Sequence, residues 1–168
     1  RAILKLSAEP RQQLTALLAV RDAPGLVKLA TKLRAESGEF LTALEFFSDV
    51  GLGIALENIP GLVFPLRSRT SFYLLVEAGS GSMQVPLDSI LTEVMEWGMD
   101  EGIVADGALA MSGAQRAAFW RLREEQPEGQ RRLGAQLKHD ISVPPGQLVD
   151  FLDRANDVCS EVLKGVTI

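Results

Sequence analysis

The spacing of apolar residues along the chain alternates between two periods, near 2 and near 3.6, and so predicts alternating strands and helices. AILKL (residues 2–6) and QLTALLAV (13–20) read as two strands joined directly across a polar stretch that contains Pro10. Asp22 then offers a helix N-cap, Pro24 suits the first turn, and Leu26, Leu29, Ala30 and Leu33 form one apolar stripe. Ser37-Gly38 closes that helix. FLTALEFF (40–47) is strand-like, with Ser48 or Asp49 capping a short helix to about Asn58. Residues 60–70, with Pro60, Gly61, Pro65 and two arginines, read as a loop.

SFYLLVEAG (71–79) is the clearest buried strand, and the GSGS that ends it reads as a turn. This GSGS is too short, and lacks the lysine, to be a phosphate loop. Leu87, Ile90, Leu91 and Val94 mark a third helix, and IVADGALAM (103–111) a further strand after Gly102. Ser112 and Gln115 form a capping box for the helix carrying AAFWRLREE, which Pro127 must end or kink. GAQLKHDISVP (134–144) reads as the next strand. Pro145 opens a last helix with the stripe Leu148, Leu152, Ala155, Cys159 and Val162, and KGVTI begins a new strand. The pattern favours an α+β domain of ferredoxin-like type, an antiparallel or mixed sheet covered by helices. A doubly wound parallel sheet is the alternative, but no strand leads into a GxGxxG turn.

A length of 168 residues suits one domain with a full core, and 46% apolar with 23% charged residues describes a globular chain. The net charge of −5 argues against a nucleic-acid partner. One cysteine, Cys159, allows no internal disulfide, and no Cys/His set has zinc spacing, so the expected compartment is reducing and cytosolic. No apolar run has membrane-helix length and no signal peptide opens the chain. Both ends read as cut within an element, which predicts a piece of a larger protein.

Candidate chemistry gathers in LKHDISVPP. On a strand, Leu137, His139, Ile141 and Val143 would share one face and Lys138, Asp140 and Ser142 the other. Residues 116–138 hold six basic and three acidic groups, net +3, while the remaining eleven basic and nineteen acidic groups leave the rest of the chain at −8. Such a positive island can hold a small anion, and arginine suits a carboxylate because its planar fork matches both oxygens. A solvated helix face with Arg/Glu pairs explains the same composition. His139 fits a packed residue better than a catalyst, Asp140 a partner of Lys138 or of a backbone N–H, Glu45 the surface, and Trp97 and Trp120 core or interface aromatics.

The order and spacing of ALEFFSDVG, SFYLLVEAG, IVADGALA, WRLREE and LKHDISVP resemble the C-terminal substrate domain of FAD-linked oxidases, over nearly the whole chain. That family has a vanillyl-alcohol-oxidase-type flavin domain and includes D-lactate dehydrogenases, glycolate oxidase subunits and D-2-hydroxyglutarate dehydrogenases. The look is closest to the last branch, where a W-x-L-R helix is followed by a K-x-D-x-S-x-P strand. Here these are Trp120 to Arg123 and Lys138 to Pro144.

The resemblance implies that Arg123 and Lys138 bind substrate carboxylates. It implies no catalytic residue and no metal ligand within this segment, and His139 matches neither. Four positions after the arginine, where the family often has a substrate-binding hydroxyl residue, stands Pro127. The family resemblance further implies FAD held mainly by a domain upstream of Arg1, and a GHxGDGN segment after Ile168 carrying catalytic and divalent-metal-binding histidines. The parent would be an FAD-dependent dehydrogenase oxidising a D-2-hydroxy acid to the 2-oxo acid. Its histidine would take the hydroxyl proton, hydride would pass to flavin, and electrons would go on to a further acceptor; a homo-oligomer is open. A rival reading from another class is a non-catalytic ligand-sensing or assembly domain that docks through edges at 1–6 and 165–168 and binds a small anion at the basic island.

Overall fold

The computed structural model of the chain describes residues 1, 3–4, 9–162 and 165. Its four strands are β1 (Gln12–Val20), β2 (Leu41–Ser48), β3 (Phe72–Ser80) and β4 (Val104–Leu109). They form one sheet in the order β2-β3-β1-β4, with every neighbouring pair antiparallel. β1 connects through helix α1 (Ala23–Ser37) to β2 and leaves room for β3 between them; β3 connects through α3 (Leu87–Asp100) to β4 across β1. These two interlocked split βαβ units are the ferredoxin-like arrangement. A helix α2 (Asp49–Asn58) is inserted between β2 and β3, and α4 (Gly113–Glu124), α5 (Gln126–Leu133) and α6 (Leu148–Val162) follow the sheet.

Both sheet faces are buried, which is why the two central strands are apolar nearly throughout rather than alternating. On the first face Ala16, Leu18 and Val20 of β1 and Leu74, Val76 and Ala78 of β3 pack against Leu26, Leu29 and Leu33 of α1 and Leu87, Leu91 and Val94 of α3. On the second face the intervening residues Leu17, Ala19, Tyr73 and Leu75 meet Leu52 of α2, Leu66 of the loop, and Phe119 and Leu122 of α4. Helix starts follow the caps in the sequence. Asp22 accepts from the Gly25 N–H at 2.7 Å, and Ser48 from the Gly51 N–H at 3.1 Å. Ser112 Oγ accepts from the Gln115 N–H at 3.2 Å while Gln115 Oε1 accepts from the Met111 N–H at 2.7 Å, a capping box displaced by one residue.

Four expectations are corrected or left outside. Residues 134–144 are not a strand: they run without regular secondary structure, with Leu137 and Ile141 exposed. Period-two alternation permits an extended chain, but a strand also needs a partner, and this segment pairs with neither edge strand of the sheet, β2 or β4. The stripe expected on the last helix is only half-buried from Leu148 to Ala155, and Cys159 and Val162 are exposed. Of the strand expected at 2–6, Ile3 and Leu4 show no regular structure and the rest lies outside the described residues, as does most of the strand expected at the C-terminal end. Pro127 does break the helix: α4 stops at Glu124, and Pro127 sits in the first turn of α5, where its missing N–H costs nothing.

α5 lies so close to α2 that a Cβ at Gly129 would stand 2.8 Å from Ala55 Cα. Gly129→Ala would gain about 1 kcal/mol of helix propensity, but backbone cannot yield as a side-chain tip can, and the helices must part. We expect a net loss of about 1–2 kcal/mol in urea unfolding; a variant as stable as the parent would show that the α2–α5 contact is slack.

Candidate anion-binding site

α4 crosses the second face of the sheet and is fastened there by two carboxylates. Arg116, Trp120 and Arg123 fall at i, i+4 and i+7, one face of the helix. Beneath it, Glu77 of β3 and Glu45 of β2 point to the same side, since Glu45 pairs with Leu75 two residues before Glu77. Glu77 is 6% exposed, an acid inside the most apolar strand of the protein. It accepts from Arg116 Nε at 2.7 Å and Nη2 at 3.3 Å, from the Trp120 indole N–H at 2.9 Å, from Thr15 Oγ1 at 2.9 Å and from Gln13 Nε2 at 2.7 Å. Burial alone would raise its pKa, but the hydrogen bonds from Arg116, Trp120 and Thr15 outweigh it and hold the carboxyl below the usual glutamate range.

Arg123 is used differently. Its Nε donates to Glu45 Oε2 at 2.7 Å, and neither terminal nitrogen has a hydrogen-bond partner among the described residues. It lines a cleft of about 280 Å³ with Glu45, Ser48, Gln126, Pro127 and Gln130. Pro127 thus stands beside Arg123 in the wall of one cleft, although α4 and α5 are separate helices. Gln126 enters that wall because Gly51 makes space for it: a Cβ at Gly51 would lie 2.8 Å from Gln126 Oε1.

The other arginines of the basic island meet acids on their own helices. Arg121 pairs with Glu125 at 3.5 Å, and Arg131 and Arg132 share Glu128, whose pKa they pull down to about 2. The solvated-face reading therefore describes these three. Lys138 is exposed in the irregular segment, makes no ion pair among the described residues and does not line the Arg123 cleft. The structure thus does not bring Lys138 and Arg123 into one cleft. His139 and Asp140 are exposed beside Lys138, and Glu45 is half-exposed. Trp97 packs at the rim of the first core beneath Lys28 and Lys32, whereas Trp120 anchors Glu77.

Sequence reasoning missed Glu77. The signal was there: a lone acid within FYLLVEAG is buried wherever that strand is, and a buried carboxylate requires donors.

Neither of the two clefts described, about 220 and 280 Å³, could enclose a dinucleotide, and no group of three or more metal-ligating side chains is placed to hold a metal among the described residues. No helix among them is long and apolar enough to cross a membrane.

The split-βαβ sheet carries an arginine-lined cleft beside its appended helices, and comparison with known proteins gives the chain a family. The chain belongs to the family described as FAD linked oxidases, C-terminal domain, which it matches over residues 9–167. It is 29% identical over 138 residues to the mitochondrial D-2-hydroxyglutarate dehydrogenase of Arabidopsis thaliana, covering 82% of this chain and 24% of that protein. It is 33% identical over 139 residues to a probable mitochondrial D-2-hydroxyglutarate dehydrogenase of Oryza sativa subsp. indica, covering 82% and 25%. A putative mitochondrial D-lactate dehydrogenase of Schizosaccharomyces pombe is 27% identical over 156 residues, covering 90% and 29%. The chain spans about a quarter of the length of the curated relatives it matches. FAD is the cofactor the family implies, and neither of the two clefts described is large enough to be its cradle.

Removing the carboxylate in Glu77→Ala leaves the buried Thr15 hydroxyl and the part-buried Trp120 indole without their acceptor, while Arg116, two-fifths exposed, can turn to solvent; the change should cost about 2 kcal/mol of unfolding free energy. Because the folded pKa is depressed, the ionised Glu77 stabilises the fold fully above the ordinary glutamate range and the benefit disappears as pH falls through its folded value. Glu77→Gln should therefore flatten the acid limb of the stability profile. An unchanged acid limb would show that another carboxylate sets it.

Proposed function

We propose that this chain is the substrate-binding domain of an FAD-dependent dehydrogenase that oxidises a D-2-hydroxy acid, 2-hydroxyglutarate-like or lactate-like, to the 2-oxo acid. What supports the reading is the half-used guanidinium of Arg123: held by Nε alone, it keeps terminal donors in a cleft of small-acid size. Family membership and the names of the relatives supply the reaction class. FAD, bound elsewhere in the parent enzyme, supplies the oxidising power; this chain supplies charge and orientation. Arg123 neutralises one carboxylate. Lys138, exposed on its irregular segment, meets a second negative group or the same carboxylate when that segment is carried over the cleft. The remaining parts of the enzyme, including the histidines and any divalent metal, lie outside this chain, and the electron acceptor is a separate partner. A single exposed cysteine fits a reducing compartment, the cytoplasm or the mitochondria named for several relatives.

The test uses the full-length flavoprotein under anaerobic conditions, with D-2-hydroxyglutarate, D-lactate and their L-isomers added separately while flavin absorbance is followed. Bleaching by one D-acid is expected, with kcat/KM reduced at least about tenfold in both Arg123→Ala and Lys138→Ala, the scale for losing one charged partner of a carboxylate. No bleaching by any of the four acids would sink the reading. A loss smaller than tenfold in one variant would remove that residue from the site.

A further inference from the structure

We infer that Glu45 is a positioning residue for substrate binding, holding Arg123 by one edge so that its terminal nitrogens stay free for a substrate carboxylate. The inference rests on the reading of Arg123 given under Proposed function.

The two arginines on the same face of α4 make the case. Arg116 gives both Nε and Nη2 to the two oxygens of Glu77 and so spends its fork on the fold. Arg123, seven residues on, gives only Nε, to one oxygen of Glu45. A guanidinium is planar, so fixing Nε over 2.7 Å restricts the orientation of the whole group while the Nη pair remains available. A long arginine chain left untethered would lose rotamer freedom on binding; one already tethered loses less, and the difference is gained as affinity.

Glu45 is well placed to act as the fixed point. It belongs to a sheet strand rather than a loop, opposite the fully buried Leu75, and its neighbour Phe47 is in the core. It lines the same cleft as Arg123, so the tether and the free donors belong to one cavity. The contact is monodentate and about two-fifths exposed on both sides, so solvent screens its charge. What Glu45 contributes is therefore the reach of its acceptor oxygen more than its negative charge. A glutamine, which keeps that reach, should substitute; an aspartate, which keeps the charge but is one methylene shorter, should not.

The experiment compares Glu45→Gln, Glu45→Asp and Arg123→Ala in the full-length flavoprotein, using the D-acid that reduces the flavin. KM and kcat are measured, together with the Kd of the analogue lacking the 2-hydroxyl, glutarate for 2-hydroxyglutarate or propionate for lactate. Glu45→Asp should raise KM and Kd about tenfold with kcat within roughly threefold of the parent, whereas Glu45→Gln should stay within roughly threefold in all three, the expectation for a loss of orientation rather than of charge. Melting temperatures of the variants report folding separately. Glu45→Asp binding like the parent, Glu45→Gln as damaged as Glu45→Asp, or either variant binding more tightly would each overturn the inference; the last would make Glu45 a competitor of the substrate. If these failures occur while Arg123→Ala still weakens binding, the substrate-domain reading stands without Glu45. If Arg123→Ala itself binds normally, both fall together.

Discussion

The second face of the sheet, where the candidate site lies, depends on the central β1–β3 ladder, which runs from Gln12 opposite Ser80 to Val20 opposite Phe72. Because both strands are buried on two sides, their register fixes two sets of side chains at once. The same pairing that sends Leu18 and Val76 toward α1 and α3 sends Leu17, Leu75 and Glu77 toward α4. A slip of one residue would exchange the faces. It would place the Glu77 carboxylate in the apolar layer under α1 and α3, where it has no donors. A charged group in the middle of the sheet thus acts as a register mark: the buried acid is tolerated in one pairing only.

From that mark the position of α4 follows. Glu77 takes Arg116 and Trp120, which sets the height and rotation of the helix over the sheet, and Phe119 and Leu122 then meet the second core. Arg123 is carried to the edge strand β2 by the same rotation and finds Glu45 there. Two ion pairs on one helix face therefore divide the labour. The pair whose carboxylate is buried, with both Glu77 oxygens engaged, ties the helix to the sheet; the other leaves the terminal nitrogens of Arg123 without a hydrogen-bond partner among the described residues. Composition could count these arginines but could not distinguish them, since the difference lies in how many of their nitrogens the fold consumes.

The fold was largely legible because its information is local. Caps at Asp22, Ser48 and Ser112, the helical stripe Leu26–Leu29–Leu33 and the apolar run FYLLVEAG specify elements without reference to distant residues. The misreading of 134–144 came from the same locality: alternation in LKHDISV describes an extended chain, while a strand is a property of two segments, and this one pairs with neither edge of the sheet. Arg123 was singled out through its motif, but Glu45 was read only as a surface acid because its ion-pair partner is 78 positions away. Lys138 remains a motif residue without a structural partner among the described residues, exposed where a strand had been expected.

The shape of the cleft depends on two glycines as much as on its polar groups. Gly129 brings α5 against the backbone of α2, and Gly51, in the first turn of α2, leaves the space that Gln126 fills. With Gln126 Nε2 committed to the Leu122 carbonyl at 3.0 Å, its amide is fixed and its oxygen is held against Gly51. Pro127 next to it adds surface but neither an N–H nor a hydroxyl. The wall beside Arg123 is therefore polar through amides and one serine hydroxyl, with its single positive group already balanced by Glu45. Such a wall can orient a carboxylate through the free edge of Arg123, but the added attraction of unbalanced charge must come from outside the cleft. Within this chain Lys138, exposed and without an ion pair among the described residues, stands on the irregular segment between α5 and α6 and does not line the cleft.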